Sequence, residues 1–159
     1  MRASTIMKKI TTIAIGTMAI TLGIIKSQPA AALTPSASKV LTFDDITTNH
    51  YGVIPDGYGR LDWYNFYVTK GSKDPGSGYD NGTVSGDYVA YSPWVQVGSN
   101  SRYLMDFKGV YLTAAWNDGL NIKVEGILDE EIKYSQTVVV DTDKPTWFEF
   151  NFEHIDYSY

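Results

Sequence analysis

Two adjacent carboxylates, Asp44 and Asp45, are the residues of this 159-residue chain best suited to binding a metal ion. They end a short apolar segment that begins at Lys39. Ca²⁺ binds about six to eight hard oxygen ligands, and a junction of strand and loop offers carboxylates together with backbone carbonyls. The pair therefore predicts a structural Ca²⁺ site. A second interpretation stays open, in which Asp45 starts a turn by accepting a hydrogen bond from a nearby backbone N–H.

Aromatic residues in glycine-rich loops are the second group that could bind a ligand, since a flat ring exposed to solvent can stack against a sugar. Trp94 follows Ser92-Pro93 at the edge of a loop, and Tyr58 and Tyr79 lie in loops rich in glycine. We predict these three residues as candidate ligand-binding platforms. For each of them, burial in the core is the competing interpretation. Two further tryptophans, Trp116 and Trp147, occur in predicted strands, and we predict that both belong to the core.

Carboxylates on one strand face raise the question of glycoside hydrolysis. Glu149 and Glu153 alternate onto the same face, but four strand residues separate them by roughly 13 Å. Catalytic carboxylate pairs lie about 5 to 9.5 Å apart, so a partner such as Glu125 on a neighbouring strand would be required. Solvated strand faces explain all three residues more simply. The sequence contains no Ser-His-Asp order, phosphate-binding loop or zinc-ligand spacing.

The N-terminal segment has the layout of a secretory leader. Lys8 and Lys9 precede an uncharged run from Ile10 to Ile25, and three alanines end at Ala32. This order predicts a signal peptide over residues 1–32, a linker over 33–38 and one domain over 39–159. The alternative is an uncleaved membrane anchor, but a spanning helix needs about 20 apolar residues and Lys26 interrupts this run. We therefore expect a secreted, cell-surface or periplasmic protein with no membrane span after cleavage.

Composition narrows the range of partners. All 18 acidic residues but only nine of the 13 Lys and Arg residues follow the leader, so the processed chain carries a net charge of −9. Nucleic acids and anionic membranes both require a basic surface, which argues against either as a partner. The chain has no cysteine, so packing must stabilise it, and its 4 Trp, 12 Tyr and 6 Phe residues, all beyond the leader, provide the apolar surface.

The segments that would position these side chains have the period of β-strands. Leu120, Ile122 and Val124 alternate with polar residues, and Phe148, Phe150 and Phe152 do the same. The turn Asn117-Asp118-Gly119 between two apolar runs predicts a hairpin. Further strands are predicted over Lys39 to Asp44, Asp62 to Thr69, Tyr88 to Tyr91, Trp94 to Val97, Arg102 to Trp116 with a bulge at Gly109, and Tyr134 to Val140. Short strands at this spacing indicate an all-β antiparallel sandwich.

Several of these segments carry a family resemblance. VYLTAAWNDGLNIKVEG (Val110 to Gly126) is followed by KYSQTVVV and TWFEFNF, and preceded by LTFDDI, IPDGYGRLDWYNFYV and GYDNGTVSGDYVAY. In this order they resemble exported bacterial jelly-roll proteins of the galactose-binding-like kind, some of which carry a C-terminal sorting tail of the Pro-Glu-Pro type. The resemblance implies a jelly-roll β-sandwich. It also implies a closing strand beyond the FEHIDYSY position, which this chain lacks and which would carry an acidic partner for Ca²⁺.

These observations favour a non-catalytic exported β-sandwich module, associated with a surface or matrix, with extracellular carbohydrate as the leading ligand class. A purely structural or interaction domain without a small ligand is the second hypothesis. A glycoside hydrolase-like enzyme is the third. We expect no cofactor other than the Ca²⁺ at Asp44 and Asp45.

Overall fold

A computed structural model of the protein describes residues 38–93 and 97–156 in full and the backbone of residues 20–26. The strands are β1 (Ile20–Lys26), β2 (Lys39–Leu41), β3 (Tyr51–Val53), β4 (Asp62–Tyr64), β5 (Tyr67–Lys70), β6 (Tyr88–Tyr91), β7 (Gly98–Asn100), β8 (Leu104–Leu112), β9 (Leu120–Leu128), β10 (Glu131–Val140) and β11 (Thr146–Ile155). One short helix, α1 (Gly78–Asn81), and two 3₁₀ turns, Tyr58–Arg60 and Gly71–Lys73, interrupt them. Every strand pairing in the described part is antiparallel, which confirms the all-β prediction.

The largest sheet has the strand order β11-β8-β1-β2. Its long central strand β8 lies between β11 and β1, as its two apolar faces suggest. The predicted irregularity at Gly109 is confirmed, because the pairing register of β8 shifts between Phe107 and Gly109 on both sides. The sheet also contains Ile20–Lys26, a segment that the sequence pattern assigned to the leader and outside the domain.

Strands β9 and β10 form a hairpin of their own. The chain reverses at Asp129 and Glu130, which have φ angles of 51° and 64°. Two consecutive positive φ values are typical of the tight turns whose twist matches that of the flanking strands. The alternation expected in β9 is present, because Ile122 and Val124 are buried whereas Asn121 and Lys123 are exposed.

The hairpin predicted at Asp118-Gly119 is wrong. Strand β8 ends at Leu112 and pairs with β1 and β11, whereas β9 pairs with β10. The Asp118 carboxylate instead accepts hydrogen bonds from the backbone N and the Oγ1 of Thr142, at 2.8 and 2.7 Å. Gly119 N donates to Asp141 Oδ1 at 2.8 Å. These bonds extend the contact between β9 and β10 beyond their paired residues, because Asp118 and Gly119 lie opposite Thr142 and Asp141 in the same register.

The aromatic segment from Asp62 to Thr69 is two strands, not the single strand predicted. It breaks at Asn65, where φ is 59°. Before the break, β4 pairs with β7, and after it, β5 lies between β3 and β6. Strand β3 was not expected, because Pro55, Gly57 and Gly59 predicted a loop in this part of the sequence.

One hydrophobic core joins these layers into a sandwich-like arrangement. It draws side chains from both the four-stranded sheet and the smaller sheets, including fully buried Leu41, Phe43, Val68, Leu112 and Ile122. Phe150 and Phe152 of β11 point into this core, as their alternation predicted, whereas Glu149, Asn151 and Glu153 face outward. Removal of this apolar surface from water is the main source of stability in a chain without disulfides.

Candidate ligand-binding surface

The long glycine-rich loop between β5 and β6 is held by a specific set of hydrogen bonds. The Ser77 hydroxyl accepts from Tyr79 N at 3.1 Å and donates to the Asp74 carbonyl at 2.6 Å, which caps α1. Gly78 N donates to the carbonyl of Ala115 at 2.8 Å. A Cβ at Gly78 would collide with the Ala114 carbonyl oxygen, so only glycine permits this approach. These contacts attach α1 to the segment that follows β8.

This attachment places Tyr79 directly beside Trp116. The two rings meet edge to face, with centroids 5.6 Å apart and planes at 78°. Tyr79 is 8% exposed and packs in a small second core with Val89 and Ala115, whereas Trp116 is 62% exposed. The prediction that Trp116 belongs to the core is therefore wrong. The adjoining Asn117-Asp118-Gly119 turn was the sequence signal that β8 had already ended.

Aromatic contacts continue from this pair across the three-stranded sheet. Tyr79 meets Tyr91 at 5.5 Å with planes at 85°, and Tyr91 meets its cross-strand partner Tyr67 at 5.8 Å. Tyr51 on edge strand β3 is 65% exposed and close enough to Tyr91 to influence its ionisation. We call Trp116, Tyr79, Tyr91, Tyr67 and Tyr51 the aromatic surface. It joins loop residues to strand residues that are far apart in the sequence.

The phenols at the centre of the aromatic surface stay protonated far above neutral pH. Burial raises the pKa of Tyr79 to about 12, with further contributions from Tyr91 and Asp74. A smaller opposing effect comes from a hydrogen bond with Trp116. Burial also raises the pKa of Tyr91, followed by the effects of Tyr67, Tyr51 and Asp74. The surface therefore presents neutral rings and hydroxyls next to one carboxylate, Asp74.

Such a combination can hold a polyol. The apolar face of a sugar ring can cover an exposed indole, and buried Tyr79 limits the movement of Trp116. The nearby tyrosine hydroxyls and the Asp74 carboxylate offer hydrogen-bond partners for the hydroxyl groups of the sugar. A few polar groups beside an apolar platform are the usual composition of small-ligand sites.

Two of the three predicted platforms, Tyr58 and Tyr79, make specific contacts within the fold. Trp94 lies outside the described residues. Tyr79 is buried and contributes as the support of Trp116, not as an open ring. The Tyr58 hydroxyl donates to Asp45 Oδ1 at 2.7 Å and accepts from Phe43 N at 3.1 Å. Burial, then the hydrogen bond to Asp45, raises the pKa of Tyr58 to about 12. Tyr58 therefore braces the loop that follows β2.

The acidic pair that predicted Ca²⁺ is divided between two sets of donors. Asp44 Oδ1 accepts from the backbone N–H groups of Asp87 and Tyr88 at 3.0 and 3.1 Å, and Oδ2 accepts from Ser85 Oγ at 3.3 Å. Asp45 binds Tyr58 instead. Within residues 38–93 and 97–156, no group of three or more His, Asp or Glu side chains could hold a metal ion. The Ca²⁺ site stays a prediction.

The remaining tryptophans differ from one another in exposure. Trp63 is buried and donates from its indole N–H to the Tyr58 carbonyl at 2.9 Å. Trp147 was predicted to lie in the core but is 38% exposed, so that prediction is wrong. It lies on the outer face of β11, where its ring packs against Tyr111 at 5.1 Å. The phenylalanines that alternate with it take the inner face.

The three glutamates considered for hydrolysis each have a partner of their own. Glu125 was predicted to be solvated, yet it is 5% exposed, forms an ion pair with Lys123 and accepts from Ser135 Oγ at 3.4 Å. The face of β9 that carries Glu125 is exposed at the start of the strand but buried near the β9–β10 turn. The alternation of apolar and polar residues does not predict this change along the strand. Glu149 accepts from Asn151 Nδ2 at 2.9 Å, and Glu153 lies 4.0 Å from Lys108 Nζ.

Comparison with known proteins does not identify a family or a function for this chain. No protein-family model, curated protein or solved structure matches the chain. In the portion of the chain that the structure describes, no helix has the length and apolar character needed to cross a membrane.

Proposed function

We propose that this protein is a non-catalytic, exported β-sandwich module of jelly-roll type that binds carbohydrate through the aromatic surface. The observation that carries the proposal is the exposed indole of Trp116 supported edge-on by buried Tyr79. Export is supported by the basic, apolar and small-residue order of the first 32 residues.

Preorganisation supports a binding role for Trp116. An exposed tryptophan with free rotation loses conformational entropy when a ligand covers it, which weakens binding. Here Tyr79 restricts the indole before any ligand arrives, and Tyr79 itself is held by the capped helix α1. Covering this ring with the apolar face of a sugar removes a large apolar area from water at little entropic cost.

Charge indicates which sugars fit. The processed chain has a net charge of −9, and Asp74 lies beside the central tyrosines. An anionic polysaccharide would be repelled, whereas a neutral sugar can donate its hydroxyls to the carboxylate. Neutral glycans are therefore the expected class, and the contact needs no bound cation.

One observation favours the second candidate, a structural or interaction domain. Tyr51 and Val53 are 65% and 66% exposed on β3, which is an edge strand of its sheet. An apolar edge strand is a typical place for another protein to pair. This candidate predicts that the protein binds a protein partner and no glycan.

A glycan array with the full-length chain tests the proposal, run with Ca²⁺ and with chelator. We expect neutral glycans to bind under both conditions. Trp116→Ala should weaken binding roughly tenfold or more, since about 1.4 kcal/mol of lost stacking corresponds to a factor of ten. Trp147→Ala is the matched control, because Trp147 is also partly exposed but packs against Tyr111 outside the aromatic surface.

Three outcomes would contradict the proposal. A correctly folded protein that binds no glycan would favour the interaction domain. Equal losses of glycan affinity in the two tryptophan variants would show that the aromatic surface is not the binding site. Release of reducing sugar ends from a bound glycan would show a hydrolase, and Glu125→Gln and Glu149→Gln would then identify its carboxylates.

A further inference from the structure

Strand β1 fills the space between two other strands of the large sheet. Ile20 pairs with Val110 of β8 on one side and with Leu41 of β2 on the other, and Thr21 pairs with Gly109 and Val40. Both pairings are antiparallel, so β2 and β8 run parallel to each other with one strand between them. The predicted leader thus contributes a central strand to the fold.

Both neighbours of β1 also have contacts elsewhere in the fold. Strand β2 has no strand partner other than β1 in the described part of the chain, but its Leu41 belongs to the hydrophobic core. Just beyond β2, Phe43 N donates to the Tyr58 hydroxyl and Asp44 accepts from Asp87 N. Strand β8 is paired along its other edge with β11, and its Val110 and Leu112 are buried. Two sheet spacings of about 4.8 Å separate the two strands, which leaves a slot one strand wide.

Removal of the leader would open this slot. The backbone N–H and C=O groups of β8 and β2 that face β1 would then lose their partners. Unpaired strand edges are a ready template for another extended chain, and burial of unpaired backbone groups costs free energy. The slot would present two such edges to one incoming strand.

We propose that the slot between β2 and β8 is a strand-binding site that, after leader removal, accepts an extended aliphatic segment of a partner polypeptide. The proposal rests on the export part of the proposed function and is independent of glycan binding. The resident segment ITLGIIK defines the chemistry of the partner, namely a stretch of branched aliphatic residues with one basic residue, Lys26, at its end. This is recognition by β-strand addition, in which main-chain hydrogen bonds supply affinity.

A second processed copy fits this role less well than a different protein. Its own leader segment has been removed. Comparable aliphatic stretches in the described part of the chain are already committed, because Val110 and Leu112 of β8 and Val138 and Val140 of β10 are buried in the core. Release of one of them would require disruption of its own fold.

The test uses the full chain with a specific protease site placed within residues 27–32. After cutting, a fluorescent peptide with the sequence ITLGIIK is added in excess, and its binding is followed by anisotropy and native mass spectrometry. We expect one peptide to replace the leader fragment in each cut chain and none to bind the uncut chain. A peptide carrying Leu22→Pro, which lacks one backbone N–H, should bind at least roughly tenfold more weakly.

A reversible engineered disulfide tests whether the peptide binds in the slot. Thr21 and Val40 are direct strand partners, and the chain has no cysteine of its own. In the variant Thr21→Cys with Val40→Cys, oxidation should hold the leader in the slot and abolish peptide binding after cutting. Reduction of the disulfide should restore peptide binding.

Several results would overturn the proposal. These are a leader fragment that excess peptide cannot replace, equal binding of the proline peptide, or loss of the fold on cutting that the peptide fails to restore. Dimerisation of the cut protein without peptide would make a second copy the occupant and would refute the partner assignment. Glycan binding is measured separately, so failure here leaves the proposed function to its own test.

Discussion

The indole of Trp116 lies edge-on against the ring of Tyr79, with centroids 5.6 Å apart. Trp116, which the sequence predicted in the core, is exposed, and Tyr79, which the sequence predicted in a loop, is buried. The contact exists because Gly78 N donates to the Ala115 carbonyl and brings α1 against the segment that follows β8. This hydrogen bond from the first residue of α1 thus places an exposed indole against a buried ring.

Alkaline pH should destabilise the protein over a defined range. The pKa values of Tyr79 and Tyr58 are raised from 10.0 to about 12 in the folded state, chiefly by burial. The folded state therefore binds these protons more tightly than the unfolded state. Their contribution is complete below pH 10 and is lost as pH rises from 10 to about 12. Urea unfolding across this range and tyrosinate absorbance provide the measurement.

The variant Tyr79→Phe should reduce the alkaline loss of stability, because it removes one of the three phenols whose pKa is raised, namely those of Tyr58, Tyr79 and Tyr91. Tyr103→Phe is the control, since Tyr103 is 51% exposed. An unchanged pH profile in Tyr79→Phe would contradict the assigned cause.

Asp44→Ala should destabilise the fold by about 1–3 kcal/mol, because it leaves the N–H groups of Asp87 and Tyr88 without their acceptor. Chemical denaturation measures the loss. Asp143→Ala is the control, because the Asp143 side chain is 67% exposed and lies 4.0 Å from its neighbour Lys144. We expect that control to change stability by less than about 0.5 kcal/mol.

The same variant separates the hydrogen-bonding role of Asp44 from Ca²⁺ binding. If the carboxylate acts through its backbone donors alone, the loss is equal in Ca²⁺ and in chelator. If Asp44 and Asp45 hold an ion, Ca²⁺ raises the Tm of the wild type and this increase disappears in Asp44→Ala. Differential scanning fluorimetry under both conditions distinguishes the two results.

Two similar ion pairs on β9 and β10 should differ in importance. Lys123 pairs with Glu125, whose side chain is 2% exposed, and Lys133 pairs with Glu131, whose side chain is 76% exposed. Lys123→Ala leaves a buried carboxylate without its cation, and we expect a loss of roughly 1–3 kcal/mol, moderated by the partial exposure of Lys123. Lys133→Ala should have little effect. Equal urea midpoints for the two variants would show that burial of Glu125 is unimportant.

Thr113→Val should leave stability unchanged or increase it by up to about 1 kcal/mol. Thr113 is fully buried, and no described residue forms a hydrogen bond with its Oγ1. Replacement of this hydroxyl by a methyl group of similar size removes an unpaired polar atom from the interior. A thermal melt makes the comparison, with Thr113→Ala as a control that should be less stable because it opens a cavity. Marked destabilisation by valine would indicate that the hydroxyl has a partner.

Local patterns predicted the strands that keep one face in the core. The phenylalanines of β11 and the aliphatic residues of β9 were placed correctly, because a period of two is a property of the strand itself. The same reasoning failed for Trp147, Trp116 and Glu125. Alternation states which residues share a face, but it does not state which face is covered or where the strand ends.

The candidate site was less accessible to prediction than the fold. Tyr79 and Asp44 were singled out from the sequence, but as a platform and a metal ligand. The structure adds contacts that the sequence did not indicate: the Tyr79 ring packs against Trp116, and the Asp44 carboxylate accepts hydrogen bonds from backbone N–H groups. Their partners come from other parts of the chain, so no local pattern could contain them.

By itself, the sequence determined the all-β class, the acidic charge, the absence of disulfides and the leader-like N-terminus, because these follow from composition and local periodicity. Only the tertiary structure decided that Asp118 binds Thr142, that Trp116 is supported by Tyr79, and that Ile20–Lys26 lies between β2 and β8. Each of these depends on hydrogen bonds or ring contacts between distant segments. Such contacts form only when the whole chain has packed.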